Sequence, residues 1–150
     1  MAVAKYKYKD IDHTMKQLRR QIVDSYDFAF ETCPEFNSPE DLFYWLKTQV
    51  IYKNDPPGIE YLQTMQTLYS DDKYNRAGEG DCDCFVITTI ACMKVNGWDN
   101  VFVILVGRDK RRPAHIYSGV EVNGKIKCLD LTNPYYNMER NYKYKQVLPV

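Results

Sequence analysis

One cysteine stands at the start of an apolar run, where a nucleophile could be exposed. Gly80 and Asp81 precede Cys82, and the run continues to Asn96. The first turn of a helix has free backbone N–H groups and the positive end of the helix dipole, both of which stabilise a thiolate. Asp81 can cap such a helix, and Gly80 permits close approach of the backbone. Cys82 is therefore a candidate nucleophile, and the backbone donors beside it could bind an oxyanion.

A predicted β-hairpin brings a histidine and an aspartate together. Asn123-Gly124 is a strong two-residue turn signal between two candidate strands, His115–Val122 and Lys125–Leu129. With that turn, His115 and Asp130 share one face and are diagonal neighbours at about 7–8 Å between backbones. A carboxylate there would fix the imidazole tautomer and leave the other ring nitrogen free to accept a thiol proton. The pair is therefore a candidate acid–base partner for the cysteine.

The other cysteines leave two alternatives open. Cys84 competes with Cys82 because the two lie about 200° apart around a helix, so only one can face the histidine. Cys92 and Cys128 have the setting of core thiols. The same four thiols together with His115 could instead bind zinc, although their spacing lacks the paired C-x₂-C clips of zinc sites. No metal is expected on the first interpretation.

The composition narrows the class of partner. The 150 residues are 45% apolar and 27% charged, with 20 basic and 20 acidic side chains. This length fits one domain over residues 1–150, and the balanced charge disfavours nucleic acid and anionic membranes as partners. No segment has the apolar length of a membrane span or a leader, and five cysteines in such a chain are typical of free thiols in a reducing compartment. We therefore expect a cytoplasmic protein.

The elements that must position these residues follow from periodicity and turn chemistry. Helices come first, then a buried central helix, then antiparallel strands, which is an α+β order. The predicted elements are a loose lysine- and tyrosine-rich arm, an amphipathic helix Asp12–Thr32, a helix capped by Ser38, a helix or extended segment Ile59–Ser70, a buried helix Cys82–Asn96, a strand Val101–Val106 and the hairpin.

The residues around the three candidate groups resemble the transglutaminase-like superfamily. Gly80-Asp81-Cys82-Asp83 opens an apolar helix, His115 heads a strand reading His-x-Tyr-x-x-Val-Glu-Val, and Leu129-Asp130-Leu131-Thr132 follows. The order Cys, His, Asp is that of the family. The resemblance covers residues 38–132 and leaves the arm and first helix, residues 1–37, outside. Upstream residues that resemble compact stand-alone members from bacteriophages are Tyr52, Asp55, Gly58, Glu60, Gln63, Thr67 and Leu68.

The resemblance implies a fold and a reaction. The fold is papain-like, with N-terminal helices and a buried central helix packed on an antiparallel β-sheet. The reaction is acyl transfer on amide bonds of a protein or peptide through a thioester, ending in hydrolysis or transamidation, without a cofactor. In it Cys82 is the nucleophile, His115 the general base and acid, and Asp130 the orienting carboxylate.

Further site residues are indicated less directly. A second oxyanion donor is needed beside the Cys82 backbone, and Gln63 and Asn75 are candidates by residue type alone. Asp81 and Asp83 flank the nucleophile and are candidates for substrate binding. The alternative from another class is a catalytically inactive binding module with the same fold, such as a phage structural or host-interacting protein.

Overall fold

A computed structural model describes residues 2–70, 79–110 and 113–150 of the chain, which form an α+β fold. None of the helices in these ranges has the length and apolar character needed to cross a membrane. In chain order the elements are β1 (Val3–Lys7), α1 (Ile11–Asp24), α2 (Tyr26–Thr32), α3 (Pro39–Lys47), β2 (Ile51–Tyr52), β3 (Ile59–Gln63), α4 (Met65–Leu68), β4 (Glu79–Gly80), α5 (Cys82–Val95), β5 (Val101–Gly107), β6 (His115–Val122), β7 (Lys125–Leu129) and β8 (Tyr144–Pro149).

The central helix α5 lies against one face of a four-stranded antiparallel sheet with the order β7-β6-β5-β8. The helices α1 to α4 also contact α5, so its side chains from Asp83 to Met93 are buried. Its β-branched residues favour strand, but burial on all sides outweighs that weak local preference. Each fully buried large side chain, such as Ile87 or Ile90, contributes about 1.5–3 kcal/mol. The predicted buried helix and antiparallel strands are confirmed.

The hairpin has the predicted two-residue turn. The β6–β7 ladder runs without a bulge from the pair Val122 and Lys125 to the pair Ser118 and Leu129. Asn123 and Gly124 have φ angles of 52° and 80°, the left-handed values that such a tight turn requires. Asp130 directly follows Leu129, the last residue of β7.

The expectation of a loose N-terminal arm is wrong. Val3–Lys7 forms β1, which pairs antiparallel with β3. The alternation of lysine and small or aromatic residues has the two-residue period of a strand, with Ala4 buried and the Tyr6 ring packed against the core. The Tyr6 hydroxyl donates a hydrogen bond to the hydroxyl of Thr14 in α1 at 3.3 Å. The arm is therefore part of the packed structure.

The first predicted helix is divided at Ser25, where α1 ends and α2 begins. The Ser25 hydroxyl is fully buried, donates to the Gln21 carbonyl at 2.7 Å and accepts from the backbone N–H of Met65 at 2.9 Å. This contact fixes the start of α4. The stretch Ile59–Ser70, predicted as helix or extended, contains both: strand β3 and then the short helix α4.

Replacing Ser25 by alanine should lower the free energy of unfolding by about 1–3 kcal/mol, because the buried Met65 N–H loses its acceptor. The matched control is Ser118→Ala. The Ser118 hydroxyl is equally buried but has no hydrogen-bond partner among the described residues, so its loss should change stability by less than about 0.5 kcal/mol. Urea unfolding followed by tryptophan fluorescence measures both. Equal losses in the two variants would contradict the bridging role of Ser25.

Candidate active site

Cys82 is the first residue of α5, as its position after Asp81 predicted. The Asp81 side chain caps the helix by accepting from the Cys84 backbone N–H at 3.5 Å. The chain before the cap passes very close to the helix: a Cβ atom on Gly80 would lie 2.8 Å from the Cβ of Cys84 and 2.9 Å from a methyl of Leu68. Glycine is therefore required at this position, and the expected close backbone approach is confirmed.

His115 and Asp130 form a hydrogen-bonded pair at the open end of the hairpin. The Nε2 atom of His115 lies 2.7 Å from Oδ2 of Asp130, whose side chain is almost wholly buried. Thr132 donates to the other carboxylate oxygen from its backbone N–H at 3.0 Å and its hydroxyl at 2.7 Å. The amide of Asn133 donates to Oδ2 at 3.3 Å and to the Met138 carbonyl at 2.9 Å. These contacts hold the carboxylate in one orientation.

The charge of Asp130 determines which ring nitrogen of His115 carries the hydrogen. Burial alone would raise the pKa of Asp130, but the hydrogen bond and charge of His115, with the hydrogen bonds from Thr132, lower it below its ordinary value. An ionised carboxylate only accepts hydrogen bonds, so Nε2 of His115 must donate. In the neutral ring Nδ1 then has a free lone pair, which makes it the nitrogen able to accept a thiol proton.

Cys82 and His115 line the same cavity, which has a volume of about 170 Å³. The backbone N–H of Ile116, the residue after His115, interacts with the Cys82 sulfur. The cavity is closed on one side by the N-terminal segment, through residues of α1 and the loop before it. Its apolar wall includes Ile11, Met15, Leu105 and Ile116, and its acidic wall consists of Glu60, Asp81 and Asp83.

The remaining cysteines are directed elsewhere. The Cys84 thiol is buried and donates to the Tyr61 carbonyl at 3.1 Å, on the side of α5 away from the cavity of Cys82. Cys92 is buried, with its sulfur 3.8 Å from that of Met65. Cys128 lies in a separate, smaller hydrophobic cluster. The described residues therefore do not bring the cysteines together as the zinc alternative requires.

The acidic wall affects the pKa of the Cys82 thiol. Burial first, and then the negative charges of Asp83 and Asp81, raise the pKa of the Cys82 thiol above its ordinary value, while the Ile116 N–H acts in the opposite direction. The thiol is therefore protonated at neutral pH. The sequence predicted a thiolate stabilised by the helix N-terminus, whereas burial first, and then the flanking carboxyl groups, disfavour the thiolate.

The pKa values of two carboxyl groups in the acidic wall are themselves raised. Burial, with a hydrogen bond and repulsion from Asp55, raises the pKa of Asp81 to about 7. Burial, the charge of Asp81 and a hydrogen bond with Glu60 raise the pKa of Asp83. A hydrogen bond between two carboxyl groups requires a shared proton. Asp55, Asp81 and Asp83 each have an oxygen within 4.8 Å of the others, and this all-oxygen set is the group among the described residues that could hold Ca²⁺ or Mg²⁺.

The candidates for the second oxyanion donor are not assembled at Cys82. Gln63 lines a different cavity, of about 400 Å³, together with Cys84. Asn75 lies outside the described residues. Sequence reasoning missed Thr132 and Asn133 as the groups that hold Asp130. The spacing Asp-x-Thr was an available signal, because an aspartate side chain commonly accepts from the backbone two residues onward.

No family model, no curated protein and no solved structure matches this chain. The case for a function therefore rests on the geometry of the site.

Changing Asp81 to asparagine should flatten the pH dependence of stability. A carboxyl whose pKa is raised by folding stabilises the folded state at low pH, and this contribution is lost as the pH rises through the folded-state value, here about 7. Asparagine caps helices as well as aspartate does. Relative to the wild type, the variant should therefore gain on the order of 2 kcal/mol of unfolding free energy between pH 5 and pH 8.

Urea unfolding at the two pH values measures this change, with Glu35→Gln as the control at an exposed carboxyl group. Parallel pH profiles for wild type and Asp81→Asn would show that Asp81 titrates as an ordinary aspartate.

Proposed function

We propose that this chain is a cysteine enzyme that transfers acyl groups from amide bonds of a peptide or protein. Cys82 is the nucleophile, His115 the general base and acid, and Asp130 the carboxylate that orients the imidazole. The observation that carries the proposal is the 2.7 Å hydrogen bond between His115 and the buried Asp130, beside a cavity that His115 shares with Cys82.

Acylation begins from a neutral thiol, since burial and the acidic wall raise the pKa of Cys82. Nδ1 of His115 accepts the thiol proton as the sulfur attacks the carbonyl carbon, so that the S–C bond forms and the carbonyl electron pair moves onto oxygen. Asp130 stabilises the imidazolium that results. When the oxyanion collapses, the C–N bond breaks and the imidazolium gives its proton to the leaving amine.

Deacylation uses the same residues. Water or a second amine attacks the thioester, His115 accepts its proton, and the C–S bond breaks with return of that proton to the thiolate. Two cavities meet at His115: the 170 Å³ cavity with the acidic wall, and one of about 410 Å³ lined by Tyr52, Phe85 and Thr132 among others. We propose that the two groups joined by the amide bond occupy these two cavities.

The wider expectations are part of the same proposal. A nucleophile at the N-terminus of a central helix, packed on an antiparallel sheet whose adjacent strands carry the histidine and aspartate, supports a papain-like, transglutaminase-like arrangement. Five free cysteines support a reducing compartment and hence a cytoplasmic location. The balanced charge supports a peptide rather than a nucleic acid as the partner.

One observation favours a second function, a non-catalytic binding module. Activated cysteines usually have lowered pKa values, whereas burial, and then the charges of Asp83 and Asp81, raise that of Cys82. In such a module Cys82 would be an unreactive half-buried thiol. Replacement of single cysteines distinguishes the two functions.

Cys82→Ala should abolish both covalent labelling by an electrophilic acyl probe, 4-nitrophenyl acetate, and release of 4-nitrophenol above background. Cys84→Ala is the matched control, because its thiol is buried and bonded to Tyr61 on the other side of α5. This variant should retain labelling and turnover within about threefold, with a modest loss of stability from the small core truncation.

Labelling is located by peptide mass spectrometry. Loss of labelling in Cys84→Ala with retention in Cys82→Ala would reverse the assignment of the nucleophile. Equal, slow labelling of several cysteines in the wild type would favour the binding module.

A further inference from the structure

The proposed acyl transfer needs a second oxyanion donor beside the backbone of Cys82. In the attack on an amide, negative charge develops on the carbonyl oxygen, and one preorganised donor is worth about 100-fold or more in rate. As the first residue of α5, Cys82 offers a backbone N–H that has no partner within the helix. A second donor must reach the same point from outside the helix.

Tyr52 lies at the place from which such a donor would act. Tyr52 in β2 pairs directly with Gly80 in β4, and the next backbone N–H, that of Lys53, donates to the Gly80 carbonyl at 2.8 Å. Paired strands are about 4.8 Å apart, so Tyr52 is held one strand spacing from the chain that leads into Cys82 two residues later.

The Tyr52 ring is turned toward the face of the helix that bears the nucleophile. It packs edge-on against the ring of Phe85, with centroids 6.0 Å apart at an interplanar angle of 74°. Phe85 is three positions after Cys82, so the two residues lie on one face of α5, a single turn apart. Tyr52 and His115 also line the same cavity of about 410 Å³. It is the larger of the two cavities that meet at His115.

The hydroxyl of Tyr52 is available to donate a hydrogen bond to an oxyanion. Tyr52 is half exposed, and among the described residues its hydroxyl has no hydrogen-bond partner. The other polar side chains of the same cavity are engaged: Lys47 donates to the Leu131 carbonyl at 2.8 Å, and the Thr132 hydroxyl donates to Asp130 at 2.7 Å. Among the described residues, Tyr52 is therefore the free donor on this side of His115.

We propose that the Tyr52 hydroxyl is a catalytic residue, the second hydrogen-bond donor to the oxyanion formed when the Cys82 sulfur attacks a carbonyl. This inference rests on the proposed acyl transfer. The hydroxyl donates to the carbonyl oxygen as the S–C bond forms, keeps its own proton throughout, and releases the oxygen when the C–N or C–O bond of the leaving group breaks. Burial first, and then the negative charges of neighbours that include Asp81 and Asp83, raise the pKa of Tyr52, which keeps the phenol protonated.

The test compares two reactions of the same thiol in the full chain. 4-Nitrophenyl acetate acylates Cys82 through an oxyanion, whereas iodoacetamide alkylates it by displacement at a saturated carbon and forms none. Tyr52→Phe should slow the burst of 4-nitrophenol by about 100-fold, with KM within about threefold of the wild type. The rate of alkylation at Cys82, followed by peptide mass spectrometry, should stay within about twofold. Tyr135→Phe, at a more exposed tyrosine, is the control and should change neither rate.

Three results would overturn the role of Tyr52. A Tyr52→Phe burst within twofold of the wild type would show that another group binds the oxyanion, and the proposed function would stand. A parallel fall in both rates would make Tyr52 a support for the local structure, and a change confined to KM would make it a substrate contact. A wild-type burst no larger than that of Cys82→Ala would instead end the proposed function, and the inference with it.

Discussion

The hydrogen bond between His115 and Asp130 is the contact on which the rest of the site depends. It joins the first residue of β6 to the residue after β7, so it requires the unbulged register of the hairpin. A one-residue slip would turn one partner to the opposite face of the sheet. A buried hydrogen bond to a charged group contributes about 1.5–3 kcal/mol, and removing one partner costs more because the other is left unsatisfied. Stability and chemistry therefore depend on the same contact.

The groups around the Cys82 thiol determine whether it is ionised before a substrate binds. Burial first, and then the acidic wall, raise the pKa of Cys82, so the resting thiol does not ionise on its own at neutral pH. In the proposed acyl transfer, ionisation must then accompany attack on a substrate, with His115 as the base. The same wall places buried carboxyl groups against the cavity, where Asp81 and Asp83 share protons with their neighbours. A resting thiol that stays protonated is also less open to oxidation, because oxidants react with the thiolate.

The sequence predicted the elements that carry strong local signals. The Asn123-Gly124 turn predicted the hairpin register, and the length of the run Cys82–Asn96, which is too long for an ordinary strand, indicated a buried helix. Signals that depend on tertiary contacts were missed. The strand β8 alternates irregularly between half-buried and exposed residues, so it lacks a clear two-residue period. The strand β1 resembled a solvated arm because its lysines outweigh Ala4 and Tyr6 in the local sequence pattern. The raised pKa of Cys82 was also missed: Asp81 and Asp83 flank it in the sequence, but burial, the largest cause, depends on how the fold packs around it.

The proposed mechanism requires that Asp130 holds His115 in the tautomer with the hydrogen on Nε2 and a free lone pair on Nδ1. Long-range ¹H–¹⁵N correlation NMR observes this directly, and the chain has only two histidines, so a His13→Gln variant assigns both. We expect neutral His115 to have a protonated Nε2 and an unprotonated Nδ1, and Asp130→Asn to lose this preference. A wild-type ring with its hydrogen on Nδ1, or one divided equally between the tautomers, would contradict the proposed mechanism.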